Sequence, residues 1–370
     1  MTVNKITIEE ISKDDWPEVE ALKNRNGLIG EDPDLQKLFF ASNPNNIHKK
    51  SFPDGWVLKS NKDIVGVICS IPVLYNFRGE DIIAAAASSF VVDLEYRNHS
   101  LSLFSKFSNQ EGFDLLVDTT ALDPVDKLLK LFKFYPIPNM DYHNILFYII
   151  DLSAFIESVF LKLKVPGLIT KFLKIITFPI SIVYKVLNDY SHKKDFSSIK
   201  EIKIDSVNED FDMLWNEKIN SEPNKLFTNR TSSSLKWHFS KSNNSDDVKI
   251  FSYYKNKRLY GYIIIRCEKT KKINLKRYKI IDIFVKDDNN KIINNLISYS
   301  FNYVKKNKGS VLEMLGFTGT VRENFKKNIF FTRKLSTMPY HFKIINNDLL
   351  DALNTESCWY PTPLDGDSSI

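Results

Sequence analysis

The 370-residue chain contains only three cysteines, Cys69, Cys267 and Cys358, and they are widely spaced. An odd number of scattered cysteines argues against a disulfide framework and a cysteine-rich zinc site, and it predicts a reducing cytoplasm. The 6 histidines show no metal-ligand spacing, so we expect metal-free chemistry. Glycine is scarce at 12 residues, which excludes a collagen-like repeat.

A strong charge imbalance is also lacking. The chain carries 51 lysines and arginines against 45 aspartates and glutamates, for a net charge of +6. This excess is too small to predict binding to nucleic acid. The polar, acidic N-terminal residues do not resemble a secretion signal. At this length we expect two domains, over residues 1–150 and 201–370, joined by a helical connecting segment over 151–200.

The two halves of the chain repeat one order of predicted elements. In the first half, strands and helices are predicted over Lys5–Ile11, Asp14–Lys23, Gly55–Lys59, Ile64–Leu74, Asp81–Asp93, Leu101–Gln110, Phe113–Thr120 and Pro124–Phe134. In the second half they are predicted over Ile202–Ile204, Val207–Asn220, Ser233–Phe239, Val248–Tyr254, Leu259–Glu268, Lys279–Val285, Lys291–Lys306 and Ser310–Leu315. This order predicts an α/β (α+β) fold with two mixed sheets.

The connecting segment between the halves is unusually apolar. Residues Leu152–Tyr190 are interrupted by Pro166 and Pro179 and carry five lysines, so a membrane span of about 18 uncharged residues is not predicted. Two interpretations stay open: interdomain helices with lysines facing water, or a basic amphipathic helix that makes a peripheral membrane contact. An exposed helix pair here also leaves both a monomer and a homodimer open.

The stretch Ala84–Gln110 is the most informative for chemistry. A strand of small residues runs into Val91-Val92-Asp93-Leu94-Glu95-Tyr96-Arg97 and then, through a polar turn, into an amphipathic helix. Free N–H groups at a helix N-terminus, beside an arginine, attract an anion. The alternative is a plain strand-to-helix turn.

This stretch resembles the acetyl-CoA-binding motif of the GNAT N-acetyltransferase superfamily, in which a strand leads through Arg/Gln-x-x-Gly-x-Gly/Ala into a helix. The resemblance implies that backbone groups of Phe90, Val91 and Val92 meet the pantetheine arm. It also implies that the phosphates of acyl-CoA are held by the turn residues Arg97, Asn98, His99, Ser100, Leu101 and Ser102. Serines 100 and 102 replace both motif glycines, and a serine side chain crowds the approach of backbone to phosphate.

Other segments resemble tandem GNAT-like proteins of surface-polysaccharide synthesis, including sugar N-acyltransferases of the anthrose type. These are Gly55-Trp56-Val57, Arg230-Thr231, Leu235-Lys236-Trp237 and Trp359-Tyr360…Asp365-Gly366-Asp367. The resemblance implies acyl-CoA as cosubstrate and a nucleotide-linked amino sugar as acceptor. In the second half an acidic turn, Lys286–Asn290, stands where the cofactor turn would be, so we expect one CoA per chain.

Such a transfer needs a base for the amine and hydrogen-bond donors for the oxyanion. We predict Asp93, at the end of the motif strand, as the base, and Ser88 or Ser89 as a cleft-facing hydroxyl. Further candidate catalytic acids are Asp282 and Glu313 in apolar runs, and Asp118 on the strand after the motif helix. For each, a solvated or buried structural role is the alternative.

Four large side chains are predicted to bind the nucleotide sugar: Arg230, Trp237, Arg322 and Trp359. Their alternative roles are core aromatic and surface cation. We predict direct attack of the amine without an acyl-enzyme, because we expect no cysteine near the motif.

Two other functions stay open. One is an aminoacyl transferase resembling the Fem ligases, although the connecting segment is too apolar for a tRNA-binding arm. The other is an inactive GNAT-like module that binds a partner or docks on a membrane.

Overall fold

The computed structural model describes residues 5–45, 52–121, 123–139, 141–166, 179, 196–240, 247–270, 273, 275–317 and 319–369. It confirms the predicted mixed α/β fold with two sheets. Most of the connecting segment, residues 167–195 apart from 179, lies outside the described residues. No helix in the described ranges is long and apolar enough to cross a membrane.

The first half contains seven strands and five helices among its described residues. They are β1 Ile6–Glu10, α1 Trp16–Arg25, α2 Pro33–Ala41, β2 Gly55–Ser60, β3 Asp63–Phe77, β4 Glu80–Val92, α3 Ser100–Ser108, β5 Leu115–Asp118, α4 Asp123–Leu131, β6 Tyr135–Pro136, β7 Asn144–Ile149 and α5 Leu152–Lys162. The helix α2 begins where Asp32 accepts hydrogen bonds from the N–H groups of Asp34 and Leu35.

The second half follows a similar order. Its elements are β8 Ile199–Ile202, α6 Glu209–Ser221, β9 Phe227–Thr228, α7 Ser232–His238, β10 Val248–Lys255, β11 Arg258–Thr270, β12 Leu275–Val285, α8 Asn290–Lys306, β13 Val311–Met314, α9 Gly319–Lys326, β14 Phe331–Lys334, β15 His341–Ile344 and α10 Leu350–Leu353. The strand predicted at Ile202–Ile204 begins earlier, at Ile199, because residues 199–202 pair with β10.

The first sheet takes two strands, β9 and β15, from the second half of the chain, and the second sheet takes one, β7, from the first half. The first sheet has the order β1-β2-β3-β4-β5-β15-β6, and β9 pairs with β3 at its side. The second has the order β14-β7-β13-β12-β11-β10-β8. Because β15 and β7 cross over, the predicted boundary near residue 150 divides the chain into halves but does not divide the two sheets.

Small residues on β4 let helices pack closely on both faces of the first sheet. Ala84 and Ala86 face the core shared with α1 and α2, whereas Ala85 and Ala87 face the core shared with α3. The strands β4 and β5, which pair in parallel, therefore lie between two helical layers. Their ends meet loops of both halves of the chain.

Candidate active site

The strands β4 and β5 separate near their carboxyl ends. They pair in parallel only from Ala84–Leu115 to Ala86–Val117. Next to this split, β4 contains a bulge, in which Ser89 and Phe90 together oppose Ile68 of β3. Ser89 has a φ of 55°, which is uncommon for a residue with a side chain. The bulge turns the backbone of β4 out of the regular ladder where the strands diverge.

A cavity of about 390 Å³ lies at this split. It is enclosed by α1, α2, the loop between them, β3, β4, the β5–α4 connection and the C-terminal segment. Its lining residues are Trp16, Lys23, Leu28, Ile29, Glu31, Gln36, Phe40, Cys69, Ile71, Ala87, Ser88, Ser89, Phe90, Asp118, Thr120, Ala121, Val125 and Asp367. The volume lies within the range of small-molecule sites.

Asp118, the last residue of β5, is a buried carboxylate in the wall of this cavity. Its Oδ1 atom accepts a hydrogen bond of 3.0 Å from the backbone N–H of Thr120. Burial, with a further contribution from the charge of Asp367, raises the pKa of Asp118 to about 7. A carboxylate with this pKa can take up and release a proton near neutral pH.

Asp367 reaches the same cavity from the far end of the sequence. Its Oδ1 atom accepts hydrogen bonds from the hydroxyls of Thr119 and Thr120, each at 3.2 Å. Burial raises the pKa of Asp367, and the hydroxyls of Thr119, Thr120 and Ser88 partly offset this effect. Asp118 is buried and Asp367 is half-buried, and two neighbouring carboxylates of this kind titrate as a coupled pair. Among the described residues, a backbone N–H contacts the carboxylate of Asp118 and hydroxyl groups contact that of Asp367, whereas no lysine or arginine forms a salt bridge with either.

The sequence prediction missed Asp367 and Trp16 as site residues. The C-terminal Asp365-Gly366-Asp367 motif was the available signal for Asp367. Trp16 lines the cavity, and its indole Nε1 has no hydrogen-bond partner among the described residues. It thus offers a buried donor for a ligand.

The predicted phosphate turn is helical rather than open. Residues Leu94–His99 form a 3₁₀ turn that continues into α3 at Ser100. The N–H groups of Tyr96 and Ser100 donate to the carbonyls of Asp93 and Arg97. Among the predicted phosphate ligands, Arg97, Asn98, Leu101 and Ser102 are exposed, and His99 and Ser100 are half-buried.

The three predicted pantetheine residues belong to the body of β4. The ring of Phe90 packs edge-on against Phe104 at 5.5 Å. Val91 packs against the core next to α1, and Val92 is buried next to α3. Their side chains are thus used in packing, which leaves their backbone groups for any contact with a pantetheine arm.

Asp93 does not line the cavity, and its role as the base stays a prediction. Its carboxylate accepts a hydrogen bond of 2.7 Å from Nη2 of Arg25 and one of 2.6 Å from Nδ2 of Asn26. Burial alone would raise its pKa, but the bonds from Arg25 and Asn26 prevail and lower it. Asp93 therefore anchors the end of α1 to the end of β4.

Asp282 is also paired, and its catalytic role stays a prediction. The side chain is completely buried and accepts bonds from Nε and Nη2 of Arg230, at 2.9 and 3.1 Å, and from the Tyr262 hydroxyl at 3.0 Å. Arg230 is completely buried too and donates to Thr228 and Thr362. Burial alone would lower the pKa of Arg230, but Asp282 raises it. The pair lies in the core, and neither residue lines the cavity at the β4–β5 split.

The other predicted acceptor residues also contact other parts of the protein. Trp237 stacks on Phe39 at 4.5 Å and donates to its carbonyl, which joins the two halves. Trp359 donates to the Leu353 carbonyl. Arg322 donates to the carbonyls of Gly316 and Asn144, at 3.0 Å each. None of the three lines this cavity or the second cavity, which is described in the next paragraph.

The remaining two predicted catalytic residues lie in different cavities. Ser89 lines the first cavity, whereas Glu313 lines a second cavity of about 320 Å³, where β12 and β13 separate. The structure therefore does not bring the four predicted catalytic residues together.

The expectation that no cysteine is near the motif is wrong. Cys69 pairs with Ser88 across the sheet and lines the first cavity. These two residues are distant in the sequence, and only the register of β3 against β4 brings them together.

No known family's sequence model matches this chain, and neither does the sequence of any curated protein. Solved structures do match, at low identity. A GCN5-related N-acetyltransferase from Anabaena variabilis superimposes with a TM-score of 0.56 and 10% identity, over 92% of this chain and 73% of its own. Saccharomyces cerevisiae N-myristoyltransferase with bound myristoyl-CoA gives 0.53 and 13%, over 92% and 83%. A probable N-acyltransferase from Enterococcus faecalis gives 0.53 and 11%, over 92% and 73%. The chain thus has a GNAT-like fold.

Proposed function

We propose that the protein is an acyl-CoA-dependent N-acyltransferase that acts on the amine of a nucleotide-linked amino sugar. The observation that carries this proposal is the pair formed by buried Asp118 and half-buried Asp367 in a cavity at the split between β4 and β5. The GNAT-like fold supports the same chemistry, and one structural neighbour contains bound myristoyl-CoA. The fold alone does not specify a function, so the argument rests on the cavity residues.

In the proposed reaction Asp118 takes a proton from the acceptor's ammonium group. The free amine then attacks the thioester carbonyl, a C–N bond forms, and the C–S bond breaks as CoA leaves as the thiol. The hydroxyl of Ser88 and backbone N–H groups at the Ser89–Phe90 bulge stabilise the oxyanion. General-base catalysis of this kind contributes about 10²- to 10⁴-fold in rate. No acyl-enzyme and no metal enter this sequence of steps.

The cavity chemistry favours a polyhydroxylated acceptor. One wall carries hydrogen-bonding side chains: Nζ of Lys23 pairs with buried Glu20 at 3.0 Å, and Nε2 of Gln36 donates to Glu31 at 2.6 Å. Another wall carries the stacked rings of Trp16 and Phe40, with centroids 5.0 Å apart. Aromatic faces beside amide, carboxylate and ammonium groups suit the apolar and polar sides of a sugar ring.

The proposal includes further expectations about the acyl donor, the cellular location, the oligomeric state and a membrane contact. Acyl-CoA is the donor, its phosphates contact Arg97 and the α3 N-terminus, and the second half holds no CoA. A cytoplasmic location, a monomeric or homodimeric state and a peripheral membrane contact through residues 152–190 remain predictions.

Isothermal titration with CoA and acetyl-CoA tests the donor site. We expect one-to-one binding at micromolar concentration, weakened by Arg97→Ala and unchanged by Arg258→Ala, which replaces an arginine distant in sequence from the motif. A turnover screen with amino-sugar nucleotides then follows. If neither CoA compound binds, the replacement of the turn glycines by Ser100 and Ser102 marks a lost site, and the inactive GNAT-like module becomes the better account.

A further inference from the structure

The second cavity has the opposite charge to the first. Its wall contains Arg277, Lys279 and Arg333, and its one acidic lining residue is Glu313. The strand pairing explains this grouping, because Lys279 of β12 lies opposite Glu313 of β13, and Arg277 points to the same face two residues earlier. Nothing in the proposed transfer step uses these cations.

The basic side chains keep hydrogen-bonding capacity. Arg277 lies 3.5 Å from Glu268 and 3.7 Å from Glu313, and its buried Nε has no hydrogen-bond partner in the described part of the chain. Nζ of Lys279 pairs with Glu268 at 2.8 Å. Arg333 is exposed on β14 and forms no salt bridge with any described residue. Three cations thus share two carboxylates, which leaves positive charge at the cavity.

The two cavities are adjacent. Thr120 and Ala121 line both of them. Thr119 lines the second cavity, while its hydroxyl donates to Asp367, which lines the first. The two cavities therefore meet at Thr120 and Ala121, with Asp118 on one side and the basic residues on the other.

We infer that the second cavity binds a phosphate ester group carried by the acceptor. The inference rests on the proposed function, because it takes the first cavity to hold the amine end of the same molecule. A guanidinium group matches phosphate oxygens with paired N–H donors, and such charge-assisted bonds are stronger than neutral ones. The phosphate ester belongs to a nucleoside diphosphate or to a sugar phosphate.

Titration calorimetry of the full chain with UDP, glucose 1-phosphate and uridine tests this site. We expect UDP to bind and uridine not to bind, with affinity that falls as salt is raised. Arg333→Gln and Arg277→Gln should each weaken UDP binding about tenfold, the effect of one charge-assisted hydrogen bond. Arg333 lies exposed on an edge strand, so its variant should keep the fold. Arg258→Gln, which alters an exposed arginine outside both cavities, should leave binding unchanged.

Acetyl-CoA is titrated into the same variants to separate the two proposals. If acetyl-CoA binds normally and the UDP affinity of both arginine variants equals that of wild type, the phosphate site is wrong and the transferase proposal stands. If the UDP affinity falls in both arginine variants and acetyl-CoA does not bind to any of the proteins, the phosphate site is confirmed and the transferase proposal is contradicted.

The three ligands identify the group that is recognised. Equal affinity for UDP and glucose 1-phosphate would assign recognition to the phosphate ester alone, whereas binding of UDP only would assign it to a nucleoside diphosphate. Uridine binding as tight as UDP binding would overturn the inference.

Discussion

Asp118 in the first sheet and Asp282 in the second are both buried acids on apolar strands, yet their surroundings differ in one decisive respect. Asp282 is paired by two nitrogen atoms of Arg230. Asp118 accepts a backbone N–H bond and faces a second carboxylate, so its pKa rises to about 7. The difference teaches that burial marks both acids, but the presence of a cation separates a structural carboxylate from one that can exchange a proton.

The two cavities extend this comparison. The acidic cavity lies where β4 and β5 split, and the basic one lies where β12 and β13 split. One fold repeated in the chain thus provides two sites of opposite charge, with a shared wall at Thr120. We interpret the acidic site as the place of proton transfer and the basic site as the place of acceptor binding.

The largest expected effect comes from removing the charge of Asp118. Asp118→Asn keeps the size of the side chain but cannot accept the amine proton, so acyl transfer should fall about 10²- to 10⁴-fold. Thiol release from acetyl-CoA in the presence of an amino-sugar acceptor measures this loss. Acetyl-CoA binding should be unchanged in the variant. Turnover within a few-fold of wild type would remove Asp118 from the mechanism.

The next largest effect is expected at Asp282, the paired acid of the comparison. Arg230→Met leaves Asp282 buried without its cation, so the free energy of unfolding should fall by about 3–5 kcal/mol. Urea denaturation followed by tryptophan fluorescence measures the change. The double variant Arg230→Met/Asp282→Leu should recover part of the loss, because Asp282 is then no longer an unpaired charge and only Asp365, 4.0 Å from Arg230, is left without that cation. A raised KM with unchanged stability would instead restore the acceptor-binding role predicted for Arg230.

A smaller effect is expected for Asp93→Asn. Its partner Arg25 is partly exposed, with 41% of its side chain accessible, and exposed ion pairs contribute about 0–1 kcal/mol. We therefore expect a loss of stability of at most about 1 kcal/mol and turnover within a few-fold of wild type. Denaturation and thiol-release assays on one preparation provide both values. A large loss of turnover at unchanged stability would return the base role to Asp93.

The smallest effect is expected for Cys69→Ala. Cys69 lies opposite Ser88 in the cavity, but direct attack by the amine does not require a thiol. Turnover should stay within a few-fold of wild type, and intact-mass spectrometry after incubation with acetyl-CoA should show no acetyl adduct on the wild-type protein. An adduct that disappears in Cys69→Ala, together with lost turnover, would replace direct attack by an acyl-enzyme.

Much of the fold could be predicted from the sequence. The strand predicted over Ile64–Leu74 is extended in the structure to Asp63–Phe77, and the strand predicted from the apolar and small residues of Asp81–Asp93 lies at Glu80–Val92. The exchange of β7 and β15 between the sheets could not be predicted. Each is a short apolar segment whose local pattern fits either sheet, so only tertiary pairing decides its partner.

The site was harder to predict because its parts are distant in sequence. Thr119 and Asp367, which share a hydrogen bond, are 248 residues apart. Asp282 was the more conspicuous acid because its neighbours are all apolar. Its partner Arg230 is 52 residues away, so the sequence could not show that the charge is neutralised. Asp118 was visible as a candidate acid, but only the folded chain shows that no lysine or arginine among the described residues forms a salt bridge with it.

The pH dependence of kcat tests the central claim most directly. If Asp118 is the base, its protonated form is inactive, so kcat of the wild-type protein should fall as the pH decreases below the pKa of about 7. In Asp118→Asn this dependence should disappear, and any slope that remains reports the acceptor's own amine. Identical profiles for the two proteins, with equal rates at neutral pH, would contradict the claim that the Asp118–Asp367 cavity is the site of acyl transfer.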